Sequence, residues 1–465
     1  MVAPGVAGPC RPASLGTDPV NETTTWERER DRHLFGPGPK RLLALDGGGV
    51  RGAITVAFLE RIEDILSQRL GRQVHLGDWF DLVGGTSTGA IIAGALALGY
   101  TTADIKRFYL ELAPRVFKRP FWRIMGLQAK FDARALRQEI ESIVGDCTLD
   151  SEKLITGLCV VTKRMDTGSP WILANNRGAP YWEGSPRGAS SKGHTGNKDY
   201  KLSNLVRAST AAPFFFDPEW LPIAEGEPPG LFVDGGVTPH NNPSLILFLM
   251  TVLTPFKLCW QPGPENLSIV SIGTGTHRDR LVPDELGMGR TTKLAIHALT
   301  SLMTDIQTFI LMQMQYLGQC PAPWPINSEI GTLANESPPH GKMFRFLRYD
   351  LKLELPWIEQ NLGKRAEDAL ERKLTETDVV RMRSMDDPTI IPDIYKLAKL
   401  AAEIQVKPEH WLGDLPGWCA SVDLSTRPRL PEPAPDQPLP ATDTFSVAVS
   451  HLRAWLARMR NPAGH

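Results

Sequence analysis

Apolar residues follow two alternating rhythms along the first 280 positions, short runs of strand length and longer stretches at helical spacing. Residues 42–45 form a short apolar run that ends in a glycine loop. Residues 54–70 then carry apolar side chains at three- and four-residue intervals, so the segment predicts strand, loop and helix. Phe80-Asp81-Leu82-Val83 followed by the small, apolar stretch 90–98 repeats the unit. Residues 158–161, 171–174, 231–233 and 267–272 are further strand candidates, separated by helical or loop segments. Strands alternating with helices predict an α/β fold whose mostly parallel central sheet is covered on both faces.

The pattern changes at both ends. Residues 1–39 are rich in Pro and Gly and carry the charged cluster 27–32, which predicts a mobile leader with room for one helical turn. The catalytic-type core is expected over 40–280 and a mainly helical portion packed on it over 281–425. In that portion Leu299, Leu302, Met303, Ile306, Phe309 and Ile310 share one helical face, and 344–355 alternates as a strand would. Residues 175–199 are heavy in Gly, Ser, Lys and Arg without apolar pattern, too long for an ordinary connection. A proline-rich linker is expected over 426–441. Beyond it, 442–465 reads as an amphipathic helix with Phe445, Val449, Leu452, Leu456 and Met459 on one stripe, docked on its own domain in preference to a membrane surface.

Composition narrows the function classes. With 465 residues, 42% of them hydrophobic, the chain can bury a large core, and a formal net charge of −1 argues against a nucleic-acid surface spread over the whole protein. The six cysteines, at 10, 147, 159, 259, 320 and 419, form no C-x-x-C pair and have no histidine at ligand spacing. They are read as reduced thiols of a cytoplasmic protein with no metal and no cofactor. The N-terminus shows no secretory signal, and no apolar run reaches the length of a membrane span.

Chemistry concentrates at three turns. Gly85-Thr86-Ser87-Thr88-Gly89 lies between a strand candidate and a small-residue helix, as a nucleophile elbow does. Gly85 and Gly89 leave room for the sharp turn, and Ser87 stands where the helix N-terminus favours a developing oxyanion. Asp46-Gly47-Gly48-Gly49-Val50-Arg51-Gly52 also satisfies the dinucleotide pattern G-x-G-x-x-G. That reading needs an acidic residue at the end of the next strand, but Asp78 and Asp81 precede that strand's apolar core and the elbow occupies its end. Consecutive glycines exposing backbone N–H groups at a helix start better suit an oxyanion hole over Gly47, Gly48, Gly49, Val50, Arg51 and Gly52. A serine nucleophile needs a base, and none of the ten histidines has a strong local context; His240 is the nearest candidate. Asp234 is more informative, because it ends an apolar strand and precedes Gly235 and Gly236, which permit a tight turn.

In this order the elements resemble the patatin-like phospholipase family. The resemblance rests on 46–52, on 85–89, on Asp234-Gly235-Gly236 with Asn241-Asn242-Pro243, and on Arg207-Ala208-Ser209-Thr210-Ala211-Ala212-Pro213, and covers roughly 41–276. It implies a three-layer α/β/α sandwich and a Ser-Asp dyad without histidine, with Ser87 as nucleophile and Asp234 as base. The implied activity is hydrolysis of lipid acyl esters through an acyl-enzyme, with phospholipid as substrate, peripheral contact with a membrane surface and a homo-oligomer as a further expectation. Two alternatives are a non-hydrolytic lipid- or nucleotide-binding regulator and a phospholipase effector of bacterial defence activated by a nucleotide.

Overall fold

Every one of those apolar runs becomes a strand of one sheet. The computed structural model describes residues 28–112, 133–185, 193–213, 215–278 and 290–411. Among them nine strands pair: β1 (Lys40–Leu45), β2 (Leu82–Thr86), β3 (Gly157–Arg164), β4 (Ser169–Ala174), β5 (Glu219–Leu221), β6 (Gly230–Asp234), β7 (Leu267–Ile272), β8 (Gly318–Gln319) and β9 (Phe344–Tyr349). The order across the sheet is β5-β6-β3-β2-β1-β7-β9-β8, with β4 also paired to β3. β3, β2, β1, β7, β9 and β8 run parallel, while β4, β5 and β6 make the antiparallel pairings at the other side.

Alternation along the strands separates two cores. Leu43 and Leu45 of β1, Val270 and Ile272 of β7, and Leu347 and Tyr349 of β9 pack on one face, against the helices Gly52–Leu70, Thr88–Ala97 and Ile391–Gln405. Leu42, Ala44, Leu267, Ile269, Phe344 and Phe346 point to the other, against the helices Ser244–Val252 and Arg290–Leu317. Since successive strand residues face opposite ways, two apolar faces on the same strands require helices on both, which gives the three layers. Around the elbow the strand β2 is buried throughout and the helix Thr88–Ala97 is buried at every position, so nothing polar is needed there except the turn itself.

Several expectations change. The helix Glu29–Phe35, inside the stretch read as leader, buries Arg30, Asp31, His33 and Leu34. Trp260 donates to the Leu34 carbonyl at 2.8 Å, and His33 contacts Asp81 at 3.0 Å. In the portion after 281, β8 and β9 extend the central sheet. β9 stops at Tyr349, short of the alternation read to 355, because Asp350 turns its carboxylate back to accept the N–H groups of Leu351 and Gly275, both at 2.8 Å. On the helix Arg290–Leu317, Ile310 is buried but Leu302 and Phe309 are exposed, so the expected face is only partly covered. The 175–199 stretch is partly ordered by contacts, with Trp182 buried and the turn Asn197–Asp199 in place; 186–192 lie outside the described residues. The expected linker and terminal helix, 426–465, also lie outside them. Cys147, Cys159 and Cys320 are free thiols, but Cys259 is disulfide-bonded, which corrects the expectation of reduced cysteines throughout.

The carboxyl ends of β1, β7 and β9 are tied together by a buried charge network. Arg348 of β9 donates to both oxygens of Asp46, at 3.0 and 2.7 Å, to Ser271 of β7 at 2.8 Å and to Asp350 at 3.0 Å. Gln307 donates to Asp46 at 3.1 Å. Burial pushes Asp46 up to about 6 while the guanidinium opposes the shift, so the carboxylate stays charged at neutral pH. Removing the cation would leave two buried carboxylates facing each other. Arg348→Met is therefore expected to cost about 3–5 kcal/mol, read as a lower urea midpoint in equilibrium unfolding. A loss below about 1 kcal/mol would show that the network does not hold these strand ends.

Candidate active site

The register of β2, β3 and β6 brings the serine and the aspartate to one level. Thr86 of β2 pairs with Val161 of β3, and Asp234 of β6 pairs with Thr162, the next residue of β3. Ser87 and Asp234 thus flank one strand, with backbones about 10 Å apart by strand spacing, and their side chains close that gap. The Ser87 hydroxyl donates to Asp234 Oδ2 at 2.6 Å. The other carboxylate oxygen, Oδ1, accepts the Gly236 N–H at 2.7 Å, and the Asp234 N–H is held by the Ala211 carbonyl at 3.0 Å. Asp234 is therefore fixed on both sides with one lone-pair direction given to the serine.

Burial sets its chemistry. Asp234 is 3% exposed, and loss of hydration pushes its carboxyl up to about 6, against the lowering effects of the Ser87 and Gly236 hydrogen bonds and the Arg207 charge. A carboxylate of that basicity is better matched to taking a proton near neutrality than a free one.

Ser87 sits at the turn with φ 56° and ψ −123°, a left-handed backbone that a residue with a Cβ seldom adopts and that costs on the order of 1–3 kcal/mol. Its surroundings enforce it. A Cβ on Gly85 would fall 2.1 Å from the Gly89 carbonyl, and one on Gly89 would fall 2.3 Å from the Leu45 carbonyl, so strand, turn and helix interlock through atoms that only glycine leaves free. The Ser87 N–H donates to Ser209 Oγ at 2.8 Å, and Ser209 donates onward to the Val161 carbonyl at 2.6 Å. Thr86 donates to the His240 carbonyl at 2.7 Å, tying the elbow to the turn after Asp234, while Thr88 is paired with the buried Tyr109 hydroxyl.

The glycine loop lies against the nucleophile, since a Cβ on Gly47 would come within 3.1 Å of Ser87 Cβ. Most of its N–H groups are committed. Gly47 donates to the Asn241 carbonyl at 3.2 Å, Val50 to the Met385 carbonyl at 3.0 Å, Arg51 to Gly48 at 3.2 Å, and Gly52 to Gly49 and Val50. Of residues 47–52, Gly48 and Gly49 have N–H groups with no hydrogen-bond acceptor among the described residues. Gly235 and Gly236 form the tight turn after Asp234, as the sequence predicted.

His240 Nδ1 has no hydrogen-bond partner among the described residues, and burial lowers the pKa of the ring. Among the described residues no cluster of His, Cys, Asp and Glu could hold a metal ion, and no helix is long and apolar enough to cross a membrane. Ser209, Thr274 and Met385 are site residues to which the sequence reading gave no role. Ser209 lies in the 207–213 segment and Thr274 in the Gly-Thr-Gly that follows the apolar run 267–272; Met385 carries no local signal.

Residues 43–248 match the family model "Patatin-like phospholipase". Among curated proteins the chain is 28% identical over 258 residues to a cGAMP-activated phospholipase of Escherichia coli, covering 54% of this chain and 67% of that one. It is 30% identical over 237 residues to a cUMP-AMP-activated phospholipase of Escherichia coli, covering 51% and 65%. Patatin-like protein 1 of Arabidopsis thaliana is 27% identical over 261 residues, covering 50% and 58%. The chain thus spans about three fifths to two thirds of the length of these relatives.

Proposed function

The chain carries a patatin-like phospholipase domain over residues 43–248, and from that premise we propose that it is a lipid acyl hydrolase acting through Ser87 and Asp234. The observation that carries this reading is the 2.6 Å hydrogen bond from the Ser87 hydroxyl to Asp234 Oδ2, with Ser87 on a strained turn at a helix N-terminus. Asp234 takes the hydroxyl proton as Ser87 Oγ attacks the ester carbonyl. The tetrahedral oxyanion is stabilised by the N–H groups of Gly48 and Gly49, aided by the positive end of the helix that opens at Thr88. Asp234 then returns the proton to the departing alkoxide, leaving an acyl-serine. In the second half Asp234 deprotonates water, which attacks the acyl carbon and releases the fatty acid while Ser87 is reprotonated. The lipid is met at a membrane surface without any helix needing to cross it.

A nucleotide-gated form of the same activity is favoured by one observation: the two Escherichia coli relatives are named for activation by cGAMP and by cUMP-AMP. On that reading, either cyclic dinucleotide raises phospholipid hydrolysis by the intact chain or changes its oligomeric state. Indifference of both properties to both nucleotides removes it.

For the chemistry itself, acyl release from phosphatidylglycerol and phosphatidylethanolamine vesicles is expected to fall at least about a thousandfold in Ser87→Ala and in Asp234→Asn, by analogy with loss of a nucleophile or its base. Activity retained in the serine variant refutes the assignment. Because Asp234 must be a carboxylate to accept the proton, and burial places its pKa at about 6, kcat/KM is expected to fall tenfold per pH unit below about 6 and to level off above it. A profile flat from about pH 5 to 7 would mean that another group is the base.

A further inference from the structure

Building on the hydrolase reading, we propose that Thr274 is a positioning residue that aims the oxyanion donor and keeps its peptide from flipping. The loop after β7 brings Thr274, 5% exposed, directly onto the glycine loop. Its hydroxyl donates to the Gly47 carbonyl at 2.8 Å. Gly47 C=O and Gly48 N–H belong to one planar trans peptide, so the two groups point in opposite directions. Fixing the carbonyl on Thr274 therefore fixes the Gly48 N–H facing away from Thr274, and this is one of the two loop N–H groups with no acceptor among the described residues.

The lock is needed because of the residues on either side. A peptide between two glycines has no Cβ at either end to resist rotation, and Gly47–Gly48 is one of the two such peptides in the loop, the one whose carbonyl Thr274 holds. If it rotated by half a turn, the carbonyl would occupy the place of the donor and would repel the oxyanion that it should stabilise. The packing confirms how close the lock is. A Cβ on Gly48 would lie 2.1 Å from Thr274 Oγ1 and 2.4 Å from its Cβ, so this glycine is required by the threonine even though its φ of 177° is open to any residue.

Thr274 is itself held. Asp350 accepts the Gly275 N–H at 2.8 Å and the Thr276 hydroxyl, and Arg348 joins Asp350 to Asp46 at the root of the glycine loop. The orientation of one peptide at the site is thus set by residues 274–276, 348 and 350, all beyond the 43–248 span of the family match.

The test uses the full chain and p-nitrophenyl butyrate, a monomeric ester that separates chemistry from membrane binding. Thr274→Val keeps the shape and removes the donor; Thr274→Ser keeps the donor. The expected result is a fall in kcat of about tenfold to a hundredfold for Thr274→Val, less than the loss of an oxyanion donor itself. KM and the midpoint of the pH profile should stay unchanged, and Thr274→Ser should stay near wild type. Circular dichroism and thermal unfolding check the fold, and should Thr274→Val not fold, Thr274→Ala against Thr274→Ser decides the same point. Wild-type kcat in a folded donorless variant overturns the proposal, as does an equal fall in the serine variant. A wild type that neither hydrolyses the ester nor reacts with a fluorophosphonate at Ser87 refutes the hydrolase reading, and this inference with it.

Discussion

The ion pair between Arg348 and Asp46 anchors the glycine loop that meets Ser87. Asp46 is the last residue before the glycine loop, so the geometry of that loop is inherited from where its carboxylate is held. Two charges at 1% side-chain exposure are expensive to bury, and Ser271, Gln307 and Asp350 take up most of their hydrogen-bonding capacity, with Arg348 Nε alone left without a partner among the described residues. Such a network has few alternative arrangements. It converts the ends of three parallel strands into one rigid platform, and the loop that meets the nucleophile is built on it.

The elbow solves a different problem by different means. Its strained serine has no charge to anchor it, and is held instead by close approach of backbone to backbone and by Ser209, which accepts the Ser87 N–H and donates its own hydroxyl to the Val161 carbonyl of β3. Strain at a residue persists only where the surroundings leave it no relaxed choice. Here the turn is clamped from β1 through Gly89, from β3 through Ser209 and from the Asp234 side through Thr86 and the His240 carbonyl.

What the sequence revealed divides along the same line. Local devices were legible: the glycines two before and two after Ser87, the Gly-rich run after a strand, and an aspartate ending an apolar run each state a backbone need within a few residues. That both faces of the sheet are covered was legible too, because the strands read as continuous apolar runs. The Ser87–Asp234 contact spans 147 residues and became readable only through the ordered set of motifs. Nothing local marks Arg348 as the partner of Asp46, 302 residues away, or Met385 as the acceptor for Val50. Every N–H of the loop looks available in sequence, and only the fold shows that Gly47 is already spent on Asn241 and Val50 on Met385. The charged N-terminal segment misled in the opposite direction, since Arg30 and Asp31 look solvated until Leu149, Asp150 and Arg177 are seen around them.

These features bear on how, in the proposed mechanism, an aspartate serves as base without histidine. An exposed carboxylate is too weak a base for a serine hydroxyl, and raising its pKa by burial alone would raise the energy of the charged form until it simply held its proton. The Gly236 N–H and the Ser87 hydroxyl limit that rise, and the balance lies near 6, where the group is ionised at neutral pH yet still basic. On the proposed mechanism the negative charge that Asp234 loses on taking the serine proton reappears on the oxyanion, where donors that need no reorientation stabilise it. On that mechanism the aspartate and the loop are coupled. The less a base is able to share charge, the more the reaction depends on how rigidly the Gly47–Gly48 peptide is held, and in this chain that rigidity comes from the far end of the sheet.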